Sequence, residues 1–179
     1  MKKVLLLLLI CILFMNRGCS IKKTDEMSNA EKFAQEYSIE EDNPFQYISF
    51  ERLKTIFEDG NGIVFFGNSD CEWCLESANV LYDVLINNEV DTVYYINPAV
   101  LSYDDKDELL FLINEEIENI EILDIKMPSL YIIKDGVIVD YCDESLEEDD
   151  ELEVDIRERK KILSNEYLKL IELYKEHIA

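Results

Sequence analysis

The two cysteines of Cys71-Glu72-Trp73-Cys74 directly follow an apolar run, Gly62-Ile63-Val64-Phe65-Phe66-Gly67, and open a stretch whose apolar residues recur at helical spacing. A continuous apolar run of this length reads as a strand buried on both faces of a sheet. The pair therefore stands at a strand-to-helix junction, where the unpaired N–H groups of a helix start favour a thiolate on the first cysteine. Two thiols three residues apart at such a place can close a small disulfide ring. The chemistry implied is redox.

Periodicity and turn residues divide the rest of the chain. Ala30 to Tyr37 spaces its apolar residues helically, and Asn43-Pro44 breaks the chain before a short extended piece, Phe45 to Ile48. Ser49 can cap a helix whose apolar face is Phe50, Leu53, Ile56 and Phe57, ended by Gly60-Asn61-Gly62. The central strand Ile63 to Phe66 is followed by the cysteine pair and a stripe of Leu75, Ala78, Leu81, Tyr82 and Leu85. A second strand, Thr92 to Ile96, ends at Asn97-Pro98, so this β-α-β unit predicts two parallel strands. Leu109, Leu110, Leu112, Ile113 and Ile117 mark another helix. Met127-Pro128 then introduces Ser129 to Ile133, and Lys134-Asp135-Gly136 predicts a tight turn into an antiparallel strand, Val137 to Tyr141. A last helix carries Leu163, Tyr167, Leu170, Ile171, Tyr174 and Ile178.

At 179 residues with 48% hydrophobic content the chain can bury one core and has little room for two. Met1-Lys2-Lys3 and the apolar run from Val4 to Met15 have the form of a signal peptide, too short to span a bilayer comfortably. The chain is expected to be exported. The formal charge of −23 becomes −26 once residues 1–18, with three cations and no acid, are removed. So acidic a surface repels nucleic acid and anionic lipid headgroups, which excludes a nucleic-acid role and leaves the N-terminus as the membrane attachment.

Of the five cysteines, Cys11 leaves with the leader. Asn16-Arg17-Gly18-Cys19-Ser20 resembles the lipobox of bacterial lipoproteins, which implies a lipidated Cys19; Asn16 and Arg17 depart from the residues usual in that box. An uncleaved N-terminal anchor is the alternative. The folded part keeps Cys71, Cys74 and Cys142, which make no disulfide framework. Zinc would need further ligands, and only Cys142 and His177 are left to offer them, so no metal is expected. Cys142 reads as a packing residue at a strand end and His177 as a cation favoured at a helix C-terminus. The acidic run Asp143 to Glu151 lacks the glycine and spaced oxygen ligands of a calcium loop and reads as solvated.

The element order β-α-β-α-β-β-α, with CxxC at the first strand-to-helix junction and an X-Pro before the hairpin, resembles the thioredoxin fold from about Phe45 to the C-terminus. The segment Gly62 to Cys74, with Tyr94-Tyr95-Ile96-Asn97 and the Asp-Gly hairpin, looks like exported thioredoxin-like lipoproteins and bacteriocin-transport accessory proteins of Gram-positive bacteria. The resemblance implies a thioredoxin-like α/β fold, a central mixed sheet with a β-α-β unit, a C-terminal β-hairpin and flanking helices. The domains expected are a signal peptide at 1–18, a tether and N-terminal helix at 19–43, and a thioredoxin-like domain at 44–179.

By the same resemblance Cys71 is the attacking thiolate, Cys74 the resolving thiol and Pro128 a cis-proline beside them, with Trp73, Met127 and Pro128 meeting substrate. A cover over the pair is the alternative reading of Trp73, whose place between the cysteines favours a substrate-facing surface. The chain departs from thioredoxins in having Phe65 at the buried aspartate position before the motif, Asp70 for the preceding tryptophan, Glu72-Trp73 between the cysteines and Glu144 for the glycine after the last strand. Carboxylates on both sides of Cys71 oppose the helix dipole. The activity expected is thiol-disulfide exchange with exported protein thiols or disulfides, reset by a redox partner and needing no cofactor. The rival reading is an accessory protein that holds an exported peptide or transporter without redox chemistry.

Overall fold

The computed structural model of the chain describes residues 27–117, 122–143 and 156–177. The leader, Cys19, most of the tether, Glu144 and the rest of the acidic run beyond Asp143, and Ile178 lie outside the described residues.

The elements run α1 (Asn29–Tyr37), β1 (Phe45–Tyr47), α2 (Phe50–Asp59), β2 (Gly62–Phe66), α3 (Glu72–Asn87), β3 (Val93–Ile96), a 3-10 turn (Pro98–Val100), α4 (Tyr103–Glu116), β4 (Ser129–Lys134), β5 (Val137–Asp143) and α5 (Ile156–His177). Helix starts are set by small polar caps: the hydroxyls of Ser28, Ser49 and Ser102 accept the N–H groups of Glu31, Arg52 and Asp105. At Ser28 the Glu31 carboxylate also accepts the cap's own N–H at 2.7 Å, completing a capping box. The Ser102 cap starts α4 two turns before the apolar residues from which the sequence marked it.

Five strands form one sheet in the order β1-β3-β2-β4-β5. β1 and β2 both run parallel to β3, and β4 and β5 complete the sheet antiparallel. The predicted β-α-β unit and hairpin are both present. Asp135 and Gly136 carry φ of 51° and 84°, the left-handed pair that a two-residue hairpin turn needs. Along β2, Ile63 and Phe65 enter one core and Val64 and Phe66 the other, and all four are fully buried. α1, α3 and α5 cover the first face; α2 and α4 cover the second. This mixed sheet with flanking helices is the thioredoxin-like α/β fold that the element order implies.

α1 takes a larger part than its expected place beside the tether. Phe33 and Tyr37 are fully buried in the first core, and Phe33 stacks on Phe45 of β1 with ring centroids 3.9 Å apart. The folded unit therefore reaches back to the Ser28 cap. In α4 only Leu109 and Ile113 are fully in the core, while Leu110, Leu112 and Ile117 pack at its margin.

Candidate functional site: a dithiol at the head of α3

The chain leaves β2 through Gly67, whose N–H bonds the Ile96 carbonyl of β3. A Cβ on Gly67 would stand 2.8 Å from the Tyr37 hydroxyl oxygen and 2.9 Å from the Phe65 ring, so the backbone passes where only glycine fits. Asn68 then organises the loop. Its carboxamide oxygen accepts the Asp70 N–H at 3.1 Å and the Asn97 side chain at 3.3 Å, and its carbonyl accepts the Cys71 N–H at 3.0 Å.

Cys71 caps α3. Its sulfur accepts the backbone N–H of Cys74 at 3.3 Å, as a cap oxygen would, and its carbonyl accepts the first helical bond from Leu75. The geometry puts one sulfur against an unpaired helix donor and leaves it partly exposed, while Cys74, one turn in, has no exposed surface.

The Met127-Pro128 peptide is cis. Ser129, the next residue, pairs in register with Phe66 at the end of β2, which brings Pro128 to the same end of the sheet as the dithiol. Pro128 is buried, and Met127 is partly buried against both cores. Cys142 pairs in register with Leu130 and packs on the first core, in line with the packing role expected of it.

Trp73 does not seal the pair from water: it is 47% exposed. One face of its indole is covered by Arg159 of α5, whose guanidinium carbon lies 3.0 Å from the ring centroid. The neighbouring Lys160 lies 4.0 Å from the Glu76 carboxylate on α3. Beside Glu76 on α3, Ser77 shares a hydrogen bond with Tyr167, two turns beyond Lys160 on α5, and both are fully buried. Arg159 was invisible to motif reading, because it is 88 residues from Cys71 in sequence and meets the motif only through the packing of α3 on α5.

Phe65, at the position where thioredoxins keep a carboxylate, is fully buried between Tyr37 and Tyr95, with ring centroids 6.4 and 6.2 Å away. The Tyr37 hydroxyl donates to that of Tyr95 at 3.0 Å, and Tyr95 donates to the Gly67 carbonyl at 3.2 Å. Burial pushes both phenols up, with a smaller contribution from negative charge on Cys74, and holds Tyr95 at about 12. Among the described residues no carboxylate is buried as a whole, but Oε1 of Glu76, two residues after Cys74, is itself buried and takes no hydrogen bond.

No protein-family model matches the sequence, and no curated protein matches it. Solved structures do. Thioredoxin O2 from Arabidopsis thaliana in its oxidized state is 14% identical, with 70% of this chain and 96% of that one covered and a TM-score of 0.40. Thioredoxin from Aeropyrum pernix is 18% identical over 54% of this chain and 73% of that one, with a TM-score of 0.37. The fold assignment rests on the sheet order and on where the cysteine pair and Met127-Pro128 fall within it.

Proposed function

We propose that the protein is a thiol-disulfide oxidoreductase tethered outside the cell membrane by its N-terminus, exchanging disulfides with exported proteins. The observation that carries the redox reading is the Cys71 sulfur at the cap of α3, partly exposed and on the Cys74 N–H, with Cys74 fully buried behind it. The export reading rests on the signal-like leader, and the tether on lipidation of Cys19.

Cys71 as thiolate attacks one sulfur of a substrate disulfide, forms a mixed disulfide and expels the other substrate sulfur as a thiolate, which takes a proton from water. Cys74 loses its proton and attacks Cys71; the Cys71–Cys74 bond forms and the second substrate thiolate leaves. In the other direction a substrate thiolate attacks the oxidised pair. A separate redox partner restores the starting state. A substrate segment would meet Trp73 and the Met127-Pro128 peptide, which lies at the same end of the sheet as the pair.

The redox-independent accessory reading keeps one observation in its favour: the fully buried Phe65 stands at the position where thioredoxins keep the carboxylate that takes the resolving cysteine's proton. Equilibrating the protein lacking residues 1–18 against glutathione or dithiothreitol buffers, with thiols counted by alkylation mass, separates the two. A defined potential between the roughly −270 mV of thioredoxin and the roughly −120 mV of a strong oxidant supports exchange. A pair that never closes, or never opens in strong reductant, leaves the accessory role.

A further inference from the structure

We propose that Arg159 is a positioning residue of the redox site, acting through Trp73, the ring between the two cysteines. The inference deepens the exchange reading and rests on it for its biological meaning, though not for its measurement.

Trp73 is half exposed, and an indole at a helix start ordinarily samples several rotamers. Here one face is taken by the Arg159 guanidinium at 3.0 Å from the centroid, and a planar delocalised cation covers more of a ring than a compact ammonium does. Three other cations are engaged elsewhere: Lys126 lies 3.7 Å from Asp143, Lys160 lies 4.0 Å from Glu76, and Lys106 donates to the Ala99 carbonyl. Arg159 makes no ion pair among the described residues, and neither do Asp70 and Glu72, the carboxylates on either side of Cys71. Its charge is thus held on the indole of the CxxC turn, the turn that also carries those two carboxylates.

Two consequences follow from that placement. The ring is pinned, so the turn joining the cysteines is held from the α5 side. A positive charge is also brought to the ring between the two cysteines, and a cation that favours the reduced form makes a dithiol more oxidising.

Trp73 is the only tryptophan in the chain, so its fluorescence reports this contact alone. In Arg159→Gln, acrylamide quenching of Trp73 should rise about twofold as the ring is uncovered. The rate of Cys71 alkylation by iodoacetamide at neutral pH should fall about threefold, and the equilibrium with glutathione should move toward the disulfide by a similar factor. Arg159→Lys should keep the alkylation rate and lose the quenching protection, because it restores charge without the stack. Lys160→Gln, which disturbs the same α3–α5 contact without touching Trp73, is the control for docking of α5.

Unchanged quenching and alkylation in a folded Arg159→Gln protein would overturn the proposal, as would equal changes in Lys160→Gln. Both readouts are properties of the thiols and the indole. A protein in which they respond as expected while no protein disulfide is ever exchanged would therefore count against the oxidoreductase reading and leave the role of Arg159 standing.

Discussion

The sulfur of Cys71 accepts the backbone N–H of Cys74 at 3.3 Å, so the first cysteine of the motif is also the cap of the helix that carries the second. The two thiols are made unequal by this one bond. Cys71 sits against a helix donor with part of its surface in water, whereas Cys74 is fully enclosed. An attacking group needs access, and a resolving group needs only its partner sulfur.

Cys71→Ser is therefore expected to abolish exchange with any disulfide substrate, a loss of at least about a thousandfold given the weak nucleophilicity of a serine hydroxyl with no base beside it. Cys74→Ser should still attack once and then stall, accumulating a mixed disulfide with the substrate. Non-reducing mass analysis of each variant with a model disulfide checks both outcomes, and a mixed disulfide on Cys74 in the Cys71→Ser protein would reverse the assignment.

α1 stands as a structural part of the domain, and the expected cost of damaging it is large. Phe33 has no exposed surface; it stacks on Tyr37 at 4.2 Å and on Phe45 at 3.9 Å, and meets Tyr95 edge-on at 5.0 Å. Phe33→Ala should lower stability by about 3–5 kcal/mol, a large share of the roughly 5–15 kcal/mol that holds a domain together. Urea unfolding measures this. A chain begun at residue 44 should fail to fold, since it would leave that aromatic cluster open to water.

The contrast between α1 and the dithiol explains what could be read from the residues alone. The cysteine pair, the β2 run and the Asp-Gly turn are local signals: each constrains a few adjacent residues, and all three took their expected form. The pairing of β1 with β3, the burial of α1 and the reach of Arg159 to Trp73 join residues far apart in sequence. No periodicity encodes such contacts, because helical spacing says which face is apolar and not what it will meet. Phe65 shows the same limit from the other side. Its identity announced a missing carboxylate, but the Tyr37–Tyr95 hydroxyl pair around it became visible only once β3 and α1 had been brought together.

The hairpin turn sets a second stability expectation. Gly136 has φ of 84°, and a Cβ there would lie 2.6 Å from the Glu58 carbonyl oxygen and 2.8 Å from that of Phe57, at the end of α2. Its N–H is held by the Gly60 carbonyl at 2.9 Å. Gly136→Ala therefore meets both an unfavourable backbone region and fixed backbone atoms, and should destabilise by more than the roughly 1 kcal/mol of the backbone effect alone. Asp135→Gly, which relieves a φ of 51° at a neighbouring position, should be close to neutral by comparison. Thermal melts of the two variants side by side give the test.

The buried phenols predict how the fold fails at high pH. Burial holds Tyr37, Tyr95 and Tyr131 above the ordinary tyrosine value of 10.0, Tyr95 at about 12 and the other two higher still. In the unfolded chain the same groups release their protons near 10.0, so above that pH the unfolded state binds fewer protons than the folded one. The stability that these three contribute is complete below about pH 10 and declines as pH rises toward and past their folded values. Melting temperatures should accordingly hold level with respect to these groups from about pH 8 to about pH 10 and then drop steeply. Phenolate absorbance should show part of the tyrosine population ionising only together with loss of the folded circular-dichroism signal. Tyr95→Phe removes one of the three and the hydroxyl that bonds Gly67, so it should shallow the alkaline slope while lowering stability at neutral pH by about 1 kcal/mol. A slope unchanged in Tyr95→Phe would show that this phenol does not govern alkaline unfolding.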